Sequence, residues 1–338
     1  MGVENEAMLS YLEDNYRFAD LFNQLFFGGG QVVNPEELTE ASEAYHGNPG
    51  EKSGRIRDVK KRLKSGRELK ILAVESQSEA SSIMPWRVMD YDCREYGRQI
   101  RQTQRANEAR ERAGERAGEK VYESAGERLD KVRKEERFAP VYTLCLYHGA
   151  EPWDGPRSLK DMMDFGEGEP ESGGARAWEE CFADYPLHLV CVNESLDWSG
   201  FRTSLRDLFT ILLCRRDKKR LMELLASDPA YQSMDKETAQ TLGVLMGINK
   251  FKENEETYKT EEGNYDMCQA IRELMEDSRL EGEKEGKKEG KKEGIAHERI
   301  EIIENIMKLS KCSLREACKV AGKTLDEYRQ AKEIYKKI

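Results

Sequence analysis

Arg57-Asp-Val-Lys-Lys-Arg-Leu-Lys-Ser-Gly-Arg-Glu-Leu-Lys-Ile-Leu-Ala-Val-Glu-Ser-Gln77 contains two strand-like runs on either side of Ser65-Gly66. Glycine supplies the positive φ that a tight hairpin turn demands, so the stretch predicts an antiparallel strand pair. A two-residue turn at Ser65-Gly66 pairs Lys64 with Arg67 and sets Asp58 opposite Ala73. Side chains alternate along a strand. Asp58, Ala73, Glu75 and Gln77 then share one face, and Val59, Leu63, Leu72 and Val74 share the other. Two acids and an amide converge, on the condition that the turn sits where the glycine suggests.

That convergence has a chemical reading. Hydrolysis of a phosphodiester calls for a metal that activates water and neutralises charge at phosphorus, and Mg²⁺ prefers oxygen ligands. Glu75 ends the apolar run Ile71-Leu-Ala-Val74, where a charge is costly without a partner or an ion. Around Asp58 lie Lys52, Arg55, Arg57, Lys60, Lys61, Arg62, Lys64, Arg67 and Lys70, against only Glu68 as a further acid. Such a run is either a solvated face or a surface that holds phosphates, with Lys60, Lys61 and Arg62 as the DNA contacts.

On the N-terminal side, Phe18, Leu21, Phe22, Leu25 and Phe26 follow helical spacing and stop at Gly28-Gly29-Gly30. Asn34-Pro-Glu-Glu37 reads as a short helix start, followed by a Gly/Asn/Pro-rich loop to Gly54. On the C-terminal side, residues 85–100 predict a helix with Met89, Cys93, Tyr96 and Ile100 as its stripe, and Arg87 is placed to meet a phosphate. From 101 to 137 the stripe disappears and Ala-Gly-Glu recurs, so the segment reads as a charged helical insertion. Strands are expected at Val141–Tyr147 and Leu187–Asn193, with a glycine-rich acidic loop over 165–174 between them.

Trp153-Asp-Gly-Pro156 reads as a turn with an aromatic lid, and His148 and His188 as structural histidines. The expected division is a core over 1–200, a helical extension over 201–280, a Glu/Lys/Gly spacer over 281–294 and a small helical segment over 295–338. In the last, Ser313-Leu-Arg-Glu316 and Thr324-Leu-Asp-Glu327 match capping boxes on either side of Gly322. They predict two short helices, either a DNA-reading pair or a small closing bundle.

With 338 residues and 36% charged side chains, the chain needs solvated segments as well as a core. Its net charge of −10 argues against DNA binding by bulk charge alone. The expectation is a cytoplasmic protein without membrane association. Eight scattered cysteines with no CxxC pair call for neither disulfides nor zinc.

At the blocks Asn15–Asn23, Arg57–Val59, Val74–Ser78 and Met84–Asp92, the chain resembles the Rpn family of recombination-promoting nucleases and putative transposases, in the PD-(D/E)XK superfamily. Pro140–Tyr147, Trp153–Pro156 and Asp266–Cys268 extend the resemblance. It implies an α/β fold with an αβββαβ core, a mixed sheet flanked by helices and further C-terminal helices. It also implies Mg²⁺, with Mn²⁺ as an alternative, held by Asp58, Glu75 and the carbonyl of Ser76, and double-stranded DNA as substrate. Asp58, Glu75 and Gln77 would be the catalytic set, with Gln77 where the superfamily usually has lysine. The expected function is a DNA endonuclease linked to recombination or a mobile element. The alternatives are a DNA-binding protein on a weakened nuclease fold, and a homo-oligomeric scaffold built on the charged helices.

Overall fold

In the computed structural model, the described residues are 2–41, 59–65, 68–117, 120–166, 174–194, 197–248, 251, 253 and 255–335. Asp58, Gly66 of the expected turn, Arg67 and most of the loops expected at 42–54 and 165–174 lie outside them. Two compact units divide at Met267 and Cys268.

The first unit is α/β. Helices α1 (Val3–Leu12) and α2 (Asn15–Phe27) open the chain. Asp14 caps α2 through the Arg17 amide, and Gly28 ends it at φ 56°, the left-handed cap that glycine adopts without strain. Asn34 accepts from the Glu36 amide to start a single 3-10 turn over Pro35–Glu37, which leads into strand β1 (Leu38–Glu40). The expected loop therefore begins with an edge strand.

Strands β2 (Val59–Ser65) and β3 (Glu68–Gln77) follow, then helix α3 (Met84–Ala117), helix α4 (Ala125–Asp130) and strand β4 (Val141–Tyr147). Helix α5 (Gly174–Cys181) and strand β5 (His188–Cys191) complete the five-stranded sheet, ordered β1-β2-β3-β4-β5. β1, β2 and β3 pair antiparallel, whereas β3, β4 and β5 pair parallel. β3 is the central strand.

The hairpin register differs from the expectation. Lys64 pairs with Leu69 and Ser65 with Glu68, so Lys60 rather than Asp58 lies opposite Ala73. A turn at Ser65-Gly66 would have placed the pairing two residues away. An even shift preserves the sides of the sheet, so the division into two faces survives the change of partners.

Both faces of β3 are covered, and Ile71 to Ser76 are all buried. On one face, Cys145, Tyr147 and Cys191 pack with Met84 and Val88 of α3 and with Trp153. On the other, α1 packs on β3, Phe26 of α2 meets Tyr142 and His188, and Lys61 lies over the Phe18 ring. Gly149, just past β4, marks a close approach: a Cβ there would run into the Tyr147 hydroxyl and the Ser78 carbonyl.

The segment after residue 100 lacks an apolar stripe because polar groups hold it. Asn107 is fully buried and donates to the Lys131 carbonyl at 3.0 Å and to the Glu136 carboxylate. Glu127 closes a capping box with Ser124 and also accepts the Glu123 and Lys134 amides. A long solvated helix or a frayed insertion was expected; α3 does run on, largely exposed, to Ala117, and the residues after it fold back through these bonds.

Helices α6 (Leu205–Cys214), α7 (Lys218–Ser227) and α8 (Lys236–Leu245) belong to the same unit. The Tyr11 hydroxyl bonds Ser204 and Thr238, and Asp20 of α2 accepts the Arg202 and Thr203 amides. Those long-range bonds fasten the helical extension to the N-terminal helices.

The second unit holds helices α9 (Met267–Ser310), α10 (Leu314–Val320) and α11 (Leu325–Tyr335). The stretch expected as a solvated spacer or weak helix is continuous helix here, with open space around Gly282, Gly286, Gly290 and Gly294. Both capping boxes form, and Gly322 between them takes φ 66°. Small cores of Ala296, Ile300 and Ala331, and of Ile303, Ala317 and Cys318, hold these helices together. Among the described residues, no helix is long and apolar enough to cross a membrane.

Candidate active site

Three consecutive residues at the end of β3 alternate between the two faces of the sheet. Glu75 is completely buried on the face covered by α3, and its Oε2 lies 3.5 Å from Nη2 of Arg87. A carboxylate removed from water needs a cation or a strong donor nearby, and Arg87 is one such partner. Arg87 Nε is itself buried with no hydrogen-bond partner among the described residues.

Ser76 is equally buried on the opposite face, where its Oγ meets His148 Nε2 at 3.0 Å. The His148 amide donates to the Gln77 carbonyl at 2.9 Å, and Arg215 donates to the His148 carbonyl at 2.6 Å. Burial, followed by the nearby Arg215 guanidinium, pushes the His148 pKa down to about 4, so the ring is neutral at pH 7. This agrees with a structural reading of the histidine.

Gln77 returns to the Glu75 face, and its Nε2 donates to the Ser76 carbonyl at 2.7 Å. The amide thus occupies the carbonyl that the family resemblance offers to a metal. Glu75 and that carbonyl are both hard oxygen donors at one strand end and suit Mg²⁺ in chemical type. Among the described residues, no group of three or more His, Cys, Asp or Glu gathers as a metal site. The third expected ligand, Asp58, lies outside the described residues.

Among the described residues, the basic run does not form one surface. Lys60 lies on the Glu75 face, with its ammonium 3.1 Å from Glu95 of α3. Lys61 points the other way and is fully buried: its Nζ contacts Asn15 Oδ1 at 2.6 Å, Glu40 at 3.2 Å and the Glu13 carbonyl. Its three donors are thereby occupied. As placed, Lys61 is a core cation rather than a phosphate contact. Arg62 is half-buried on the Lys60 side.

Helix α3 brings an acidic stripe that the sequence reading missed. Cys93 and Tyr96 of the expected stripe are exposed, while Met84, Val88, Tyr91, Asp92 and Glu95 are buried. Asp92 accepts from Thr143 Oγ1 at 2.7 Å and from the Tyr185 hydroxyl. Burial works against the Glu95 charge, but Arg98 and Lys60 outweigh it and hold its pKa at about 2. The spacing of Arg87, Tyr91, Glu95 and Arg98 is itself a helical signal, carried by polar rather than apolar side chains.

Trp153 is a core residue rather than a lid. It is buried edge-on to Tyr147, with its Nε1 donating to the Gly155 carbonyl at 2.7 Å.

No protein-family model matches the chain, and no curated protein or solved structure is significantly similar to it.

Proposed function

We propose that the protein is a metal-dependent endonuclease of the PD-(D/E)XK type that hydrolyses phosphodiester bonds in double-stranded DNA, in a recombination or mobile-element setting. The observation that carries the reading is the fully buried Glu75 carboxylate at the end of the central strand, facing Arg87. Structural acids are usually placed where water can solvate them, so a buried one beside a partly unpaired guanidinium is a candidate for chemistry.

In this reading Glu75, the Ser76 carbonyl and Asp58 hold Mg²⁺, which when bound supplies an acidified water and neutralises charge at phosphorus. Arg87 orients a non-bridging phosphate oxygen with the donor that Glu75 does not use. Gln77 positions the water by hydrogen bonding but brings no charge to the transition state. Its bond to the Ser76 carbonyl favours a second reading, a DNA-binding protein whose nuclease site is weakened. With that bond made, the amide keeps one N–H and its carbonyl oxygen for water.

Incubation with supercoiled plasmid separates the two. The nuclease reading expects nicking with Mg²⁺, none with EDTA, and a loss of at least 100-fold in Glu75→Gln. Gln77→Lys is expected to cut at least as fast as the parent. DNA binding without nicking by the parent would replace the first reading with the second, and nicking undiminished in Glu75→Gln would remove this site from the chemistry.

A further inference from the structure

A cavity of about 650 Å³ lies under the middle of α3, lined by Arg62, Leu69, Ile71, Arg98, Gln102 and Phe138 among others. It shares the Glu75 face of the sheet. Ile71 precedes Glu75 by four residues, which at strand rise is about 13 Å. The cavity is therefore a separate place from the candidate active site.

Its lining is cationic and ordered. Arg62, Arg98 and Arg137 contribute guanidinium groups, and among the described residues that line it none is acidic. Lys70 also lines it, from a strand position that alternates to the other face. Arg98 is held by Glu95 through Nε at 3.1 Å and Nη2 at 2.5 Å, which fixes the plane of its guanidinium. Arg137 is anchored through Nη1 to the Lys134 carbonyl at 2.6 Å and the Glu136 carbonyl at 2.9 Å.

The Gln99 amide clasps the backbone of Ala139, accepting its N–H at 2.8 Å and donating to its carbonyl at 3.1 Å. That clasp sets the loop bearing Arg137 and Phe138 against the helix. Preset guanidinium groups suit phosphate oxygens, because the planar fork is oriented before the ligand arrives. The apolar side is equally specific: Leu69, though 41% exposed, lines the cavity with Phe138 and Pro140. A cavity of this size with apolar walls and a few convergent polar groups fits a compact ligand better than a duplex.

We propose that this cavity binds a nucleoside polyphosphate, with the phosphates on Arg62, Arg98 and Arg137 and the base against Leu69 and Phe138. Gln102 and Thr103 line the same cavity, and their amide and hydroxyl can meet the ribose or the base edge.

Titration calorimetry of the full chain in EDTA, with ATP and with inorganic tripolyphosphate as probes, tests the assignment. Saturable one-to-one ATP binding is expected, at least tenfold tighter than tripolyphosphate. Arg62→Gln and Arg137→Gln should each weaken it at least tenfold while leaving the circular dichroism spectrum unchanged. Phe138→Ala should weaken ATP binding and spare tripolyphosphate. Glu75→Gln should bind ATP as the parent does, which separates this proposal from the nuclease reading.

Absence of ATP binding up to millimolar concentration would overturn the proposal. So would binding that both arginine variants retain, or tripolyphosphate binding as tight as that of ATP.

Discussion

His148 shows how one buried ring couples the sheet to pH. It is fully buried, Nδ1 has no hydrogen-bond partner among the described residues, and Ser76 and Arg215 hold the ring and its carbonyl in place. Its pKa falls from 6.5 to about 4 on folding, so the unfolded chain takes up the proton first. The stability this neutral ring confers is therefore complete above pH 6.5 and is lost as pH falls towards 4. At 1.36 kcal/mol per pH unit, the full loss is about 3 kcal/mol. Urea unfolding at a series of pH values in EDTA should give a parent curve steeper between pH 6.5 and 4 than that of His148→Gln. Parallel curves would mean that the ring titrates normally in the folded protein.

Strand β2 places adjacent cations in opposite environments, because alternation sends Lys61 into the helical layer of α1 and α2 while Lys60 and Arg62 face α3. Lys61 has three acceptors and a phenylalanine ring around its ammonium. Removing it takes the donor from Asn15 Oδ1 and from the Glu13 carbonyl, while Asn15 Nδ2 keeps the Leu38 carbonyl. Glu40, 62% exposed, keeps its water. Lys61→Ala is thus expected to lower stability by roughly 2 kcal/mol, and Arg62→Ala by no more than about 0.5 kcal/mol. Chemical denaturation of the two variants checks this, and equal midpoints would show that Lys61 is not held in the core. The salt dependence of DNA binding should respond to Arg62 and not to Lys61.

Across the whole molecule, every residue of the candidate site that the structure describes lies in the first unit, which extends to Met267. That unit carries its own sheet, both helical layers and the bonds from Tyr11 and Asp20 to the later helices. The second unit has separate small cores. A chain ending at Arg279 keeps the whole of the first unit. Its thermal unfolding should therefore remain cooperative, and any Mg²⁺-dependent nicking seen in the full chain should persist. A truncated protein that is folded and binds DNA but has lost nicking would place a required group beyond residue 279.

By itself the sequence determined the parts whose signals are local. The α2 stripe and its glycine stop, the run Val141–Tyr147, the two capping boxes around Gly322 and the division of the hairpin into two faces all follow from residues within a few positions of each other. Glu75 could be singled out because an acid ending an apolar strand is locally anomalous. Tertiary structure decided the hairpin partners, because alternation fixes the face of a side chain but not which residue lies across from it. It also decided that α3 buries Asp92 and Glu95, since only the opposing sheet supplies the Thr143 hydroxyl and the Lys60 ammonium that make such burial affordable. Neutral-looking choices followed the same rule. Asn107 and Lys61 read as solvent-facing until residues 24 and 46 positions away supply their hydrogen-bond partners, and burial of a polar group depends on such partners rather than on the group alone.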